Sequence, residues 1–174
     1  YKLISVLTLF YSIYTAVIYP VMSKFYKNDT TLLLISFEKS VKYLMLIMVP
    51  IAIGTMFYSL DIIQLIYGHE YDAASSVLSI LIWTVCLLFI NGACNTLLLA
   101  AYKEVTTLKI YGIAAVVNIV LNFFMIPAFA ENGAAITTVL SEFVLLIIFL
   151  YVMNSISIKS IILFFLNIRI SKRN

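Results

Sequence analysis

The chain has 174 residues, 64% of them hydrophobic and only 11% charged, with a formal net charge of +3 and a mean hydropathy of +1.10. A soluble domain carries about 25% charge, so this composition excludes one and points to an all-α, polytopic helical membrane protein. There is no basic-aromatic patch of the kind that binds nucleic acid, which sets that class of partner aside.

The chain opens on Tyr1 rather than Met, has no signal-peptide pattern at its start, and reads as a fragment of something longer. Residues 3–22, 43–63, 77–101, 108–127 and 134–153 are each apolar over roughly the 20 residues a bilayer requires. They are expected to form a transmembrane bundle over residues 1–153. The first run carries Ser12 and Thr15 and ends at Tyr19-Pro20. A connection at 23–42 follows, with Lys24, Lys27, Lys39 and Lys42; its apolar residues around Leu32–Ile35 and Phe37 suit a surface helix. Pro50 and Gly54 lie in the second run, and Gly68 bends the turn at 64–76, which holds His69, Glu70 and Asp72 but no Lys or Arg.

The third run carries Asn91 and Asn95, four residues apart and so on one helix face. Lys103 and Lys109 flank the next connection. Asn118 and Asn122 repeat the i,i+4 pairing, and Pro127 is expected to stop their helix, because it lacks an N–H and clashes with the preceding turn. A polar connection at 128–132 leads to Gly133, Ala134 and Ala135, small residues that let two backbones approach closely in lipid. Glu142 falls near the middle of the fifth run. Residues 154–174 form a basic tail or part of a further helix. Their apolar stretch at 161–170 is too short to cross and contains Asn167 and Arg169.

Lysine-bearing connections alternate with connections that lack Lys and Arg, the lone Lys2 excepted. The positive-inside rule puts the Lys-rich connections and the tail, with Lys159, Arg169, Lys172 and Arg173, in the cytoplasm of a plasma-membrane protein. Tyrosines gather near both sets of ends: Tyr19, Tyr26, Tyr43, Tyr102, Tyr111 and Tyr151 on one side, Tyr58, Tyr67 and Tyr71 on the other.

Five side chains are candidates for a site within the membrane: Asn91, Asn95, Asn118, Asn122 and Glu142. The asparagines either hydrogen-bond between helices, at about 0.6 kcal/mol each, or line a wet cavity for a polar substrate. Glu142 is the only ionisable group well inside a run; it either binds a proton or cation coupled to transport, or faces another helix as a hydrogen-bonded carboxyl. Lys24 and Lys27 orient the chain by charge or contact an anionic headgroup at the cytoplasmic face. His69, Glu70 and Asp72 lack metal-ligand geometry. Cys86 and Cys94, about 12 Å apart on one helix, read as packing residues. No phosphate loop, nucleophile–base pair or carboxylate pair is present, so neither an enzyme nor a cofactor is expected.

Four stretches carry a family resemblance: YPVMSKFYKND at 19–29, VPIAIG at 49–54 with DIIQLIYGHEYDAASSVLSIL at 61–81, LLLAAYKE at 97–104, and NIVLNFFMIPAFAENGAAITTVLSE at 118–142. Together they resemble the C-terminal half of polysaccharide-export flippases, the translocases of lipid-linked oligosaccharide in the multidrug/oligosaccharidyl-lipid/polysaccharide exporter superfamily. The shared features are a Pro-x-x-Ser mouth, an outer Gly-x-x-Tyr turn, and an Asn-x-x-x-Asn, Pro, Gly-Ala-Ala hairpin. Ala130 departs from a frequent Gly, and Thr137 from a common Ala. The resemblance implies a lobe of a two-lobed, alternating-access transporter that moves polyprenyl-linked oligosaccharide to the outer leaflet. Its partners would be membrane lipid, the lipid-linked cargo and an N-terminal lobe of the same protein. A multidrug or cation-coupled exporter of that superfamily is the nearest alternative, and a membrane enzyme of polymer assembly a more distant one.

Overall fold

The computed structural model describes residues 2–155, and all its regular elements are helical. Helix α1 spans Lys2–Asn28, α2 Thr30–Phe57, α3 Ser59–Tyr67, α4 Ala74–Ala100 and α5 Glu104–Ser155, with a short 3-10 turn at His69–Tyr71. The expectations for the run at 161–170 and for the basic tail fall outside the described residues. Among those residues, three stretches are long and apolar enough to cross a membrane: Thr31–Phe57, Ala74–Ala100 and Glu104–Asn154. The last is not one rod. Ala130, at φ 48° and ψ −128°, interrupts α5. The legs 104–129 and 131–155 then run back along each other, so that Asn118 meets Ser141 and the Tyr111 ring meets Phe149 at 5.8 Å.

The expected hairpin is therefore present, and its turn falls within the expected connection but is tighter. Pro127 does not stop the helix, which continues to the break at Ala130. Apolar surroundings hold a transmembrane helix together through a proline, as they also do around Pro20 and Pro50. The polar connection at 128–132 shrinks to one non-helical residue. Close approach follows at once: a Cβ on Gly133 would overlap the Met125 carbonyl, so only glycine lets the legs meet there.

Two further expectations are corrected. Residues 23–42 are no loop, because α1 runs to Asn28 and only Asp29 separates it from α2. The Asp29 carboxylate accepts the backbone N–H of Thr31 at 2.8 Å and of Leu32 at 3.1 Å, a side-chain N-cap that starts α2 at once. Leu33 and Phe37, read as part of a surface helix, are 3% and 1% exposed in the core. The second span ends at Phe57 rather than residue 63, and the separate α3 joins the turn at 64–76. Gly68 does bend that turn, at φ 88°.

Helix α4 is the hub, contacting α1, α2, α3 and α5. Tyr11 stands beside Phe89, and Tyr19 shares a cleft with Leu99, so α1 and α4 run parallel. Met48 and Ala52 cluster with Ile82 and Val85, while Leu33 and Phe37 cluster with Leu97 and Leu98, so α2 runs antiparallel to α4. Buried Ile110, Ala114, Leu145 and Phe149 of α5 close the larger cluster. Cys86 and Cys94 are free and buried among these residues.

This topology separates charge. Lys24 and Lys27 at the end of α1 lie at the same end as Lys103, with Lys27 Nζ 5.6 Å from the centre of the Tyr102 ring. The opposite end holds His69, Asp72 and the hairpin tip, where Ser76 Oγ and Asn132 Oδ1 are 3.1 Å apart.

Candidate functional site

Helix α4 presents Asn91 to the second leg of α5. Asn91 is 2% exposed, and its Nδ2 donates to Glu142 Oε2 at 2.7 Å and to the Glu142 carbonyl at 2.9 Å. Beside Glu142, Ser141 Oγ accepts from Asn118 Nδ2 at 2.9 Å, and Asn118 Oδ1 accepts from Asn122 Nδ2 at 2.9 Å. Four of the five expected side chains therefore form one polar seam across α4 and both legs of α5. Such bonds oppose lipid's tendency to leave helices indifferent to one another.

Asn95, one turn from Asn91, instead lines an open cleft of about 350 Å³ between α1 and α4, with Tyr11, Thr15, Tyr19, Thr96 and Leu99. The Tyr11 hydroxyl is within reach of the Asn95 side chain, while Asn95 Oδ1 is buried without a hydrogen-bond partner. A Cβ at Gly92 would overlap the Tyr11 ring, so glycine there lets α1 lie against α4.

Lys24 and Lys27 are not brought into this seam; they stand at the basic end of the bundle, beyond Tyr19. The Tyr102 hydroxyl beside Lys27 holds its ammonium above the usual lysine value. Tyr11 and Ser141 escaped sequence reasoning, and Tyr111 was read only as one of the tyrosines at the helix ends. A tyrosine in an apolar run signals an interface ring, and nothing in the one-dimensional pattern says that Tyr11 covers a glycine of α4. Ser141 could have been found, since it shares a register with the asparagine pair across a hairpin. Among the described residues, no three His, Cys, Asp or Glu side chains come together; at the Gly68 turn, Asp72 instead accepts from Gln64 at 3.0 Å.

A hairpin with its paired asparagines, a glycine turn and lysines gathered at one end invites comparison with known proteins. The family model described as lipid II flippase MurJ matches residues 5–171. The chain belongs to this flippase family. Among curated proteins, it is 29% identical over 142 residues to the uncharacterized membrane protein MJ1068 of Methanocaldococcus jannaschii, covering 81% of this chain and 28% of that protein. It is 28% identical to the capsular polysaccharide biosynthesis protein CapF of Staphylococcus aureus, over 82% of this chain and 36% of CapF. It is 27% identical to the probable low-salt glycan biosynthesis flippase Agl15 of Haloferax volcanii, over 91% of this chain and 34% of Agl15. The chain thus spans about a third of the length of these relatives. No solved structure matches it.

Proposed function

We propose that this chain is the C-terminal lobe of a transporter that moves polyprenyl-linked oligosaccharide from the cytoplasmic to the outer leaflet during cell-surface polysaccharide synthesis. The family match over residues 5–171 carries this reading. The names of CapF and Agl15 support a glycan cargo rather than a drug, and membership among flippases supports a transporter rather than an enzyme.

The physical features fit such a cargo. The Lys-bearing end is the cytoplasmic one by the positive-inside rule, and Lys24 and Lys27 attract a diphosphate headgroup there, at about 1 kcal/mol for each lysine near the surface. Asn95, Tyr11 and Thr15 offer hydrogen bonds to a polar cargo inside the membrane. The other lobe lies in the remaining length typical of the relatives and supplies the rest of the cavity.

Deleting the gene should leave lipid-linked oligosaccharide on the cytoplasmic leaflet, read by its resistance to a sugar-modifying reagent added outside. Unchanged exposure of the lipid-linked sugar, with new sensitivity to cationic drugs, would overturn the reading in favour of a drug exporter.

A further inference from the structure

We propose that Glu142 is a proton-binding carboxyl, held at membrane depth by Asn91 and reached from the basic end of the bundle through the cleft between α1 and α4. This goes beyond the translocation reading, because it names a ligand for a side chain that no contact with cargo requires.

The first argument is the missing counter-charge. Glu142 lies twelve residues past the hairpin break at Ala130, about 18 Å along its helix and so well inside a hydrocarbon core of about 30 Å. Facing it is Asn91 from α4, with Tyr11 from α1 and Tyr111 from the first leg of α5 within electrostatic range. All three are uncharged near neutrality. Among the described residues, the one ion pair, His69 with Asp72, is at the Gly68 turn. A carboxylate with one amide donor and no cation is costly in lipid, and taking up a proton removes the charge.

The second argument is the partner. A carboxamide serves both protonation states. Ionised Glu142 accepts from Asn91 Nδ2, an arrangement compatible with the 2.7 Å contact. Protonated Glu142 donates its O–H, and a half-turn of the amide presents Asn91 Oδ1 to receive it. That oxygen is buried without a partner in the arrangement seen, on a residue 2% exposed. Leucine would serve neither state, and lysine would hold the carboxylate charged.

The third argument is access. The cleft of about 350 Å³ runs from Tyr11 to Tyr19 and Leu99, two turns towards the lysines. It has room for several waters, each taking about 30 Å³. Its inner end offers the unpartnered Asn95 Oδ1, one turn from Asn91. Next to Glu142 in the chain, Ser141 begins a second hydrogen-bonded set with Asn118 and Asn122 that extends towards the hairpin tip.

Carbodiimides modify a protonated carboxyl and spare a carboxylate. The protein, purified at full length and reconstituted in liposomes, is treated with dicyclohexylcarbodiimide across about pH 5 to pH 9, and the modified peptide is found by mass spectrometry. The expected result is modification of Glu142 that falls severalfold as pH rises, with no modification at that position in Glu142→Gln. Modification indifferent to pH, or none at any pH while the unfolded protein is modified there, would overturn the proposal. Access is tested with a water-soluble carbodiimide: Asn95→Leu should slow the modification of Glu142 severalfold, and an unchanged rate would remove the cleft as the route. Neither assay requires transport, so failure here leaves the cargo reading standing, and failure of the cargo reading leaves this site standing.

Discussion

Replacing Ala130 by glycine should stabilise the protein, although a methyl group is lost. Ala130 occupies φ 48° and ψ −128°, a region that glycine enters freely and alanine does not. Holding a non-glycine residue there costs about 1–3 kcal/mol. Glycine gives back part of the gain by loosening the unfolded chain, about 0.4–1 kcal/mol. Ala130 is exposed at the hairpin tip, so its methyl contributes no core packing. The balance is a stabilisation of about 0.5–2 kcal/mol. Titration with denaturing detergent, followed by helical circular dichroism, measures it as a later midpoint. Ala128→Gly is the internal control: it lies two residues earlier within the helix, where glycine should destabilise by about 0.5–1 kcal/mol. Equal shifts of the same sign for the two variants would refute the reasoning about backbone strain.

Gly133→Ala should cost more than Gly92→Ala in the same titration, because the new Cβ at 133 meets the Met125 backbone, whereas that at 92 meets a ring that can swing aside; shrinking Tyr11 to Ala should restore Gly92→Ala and do nothing for Gly133→Ala. Asp29→Ala removes the N-cap of α2 and should destabilise by about 0.5–2 kcal/mol; Asp29→Asn should retain most of it. Because Tyr102 raises Lys27 above its usual value, the charge of Lys27 is fully present through neutral pH and is lost only as pH climbs above the ordinary lysine range. Its contribution to binding anionic vesicles, read as the difference between wild type and Lys27→Gln, should therefore be flat up to about pH 9. The 174-residue chain alone, reconstituted in liposomes, should translocate no labelled lipid-linked sugar, because the diphosphate-binding groups of a cavity between lobes must come largely from outside it. Measurable flux would show the chain to be sufficient.

The helical hairpin and most of its seam were legible in the sequence. An i,i+4 pair of asparagines fixes a face, and Gly-Ala-Ala marks where another backbone must come close. Charge also announced itself: the lysines at 24, 27 and 103 fall at one end of the structure. Boundaries were harder to see. Proline is a breaker in water, but in lipid the helix has no solvent to release its carbonyls to, so Pro127 was the wrong marker; the turn is Ala130, which the sequence marked only as standing where the family often has Gly. The 23–42 segment misled because its lysines suggested a solvated loop, whereas capping by Asp29 lets α2 begin at once and bury Leu33 and Phe37. Asn91 and Glu142 could each be suspected, but not their pairing, which depends on how α4 packs against the second leg.

The bond between Asn91 and Glu142 spans 51 residues of sequence. At about 5–20 residues per second, a ribosome delivers the carboxyl roughly 3–10 s after the amide. Until then α4 packs against α1, α2 and the first leg of α5, with a carboxamide whose carboxyl partner has not arrived and lipid tails that supply none. Each nascent copy therefore passes through an interval in which its most central helix is its least settled one. A slow codon between the two residues lengthens that interval without changing the finished protein.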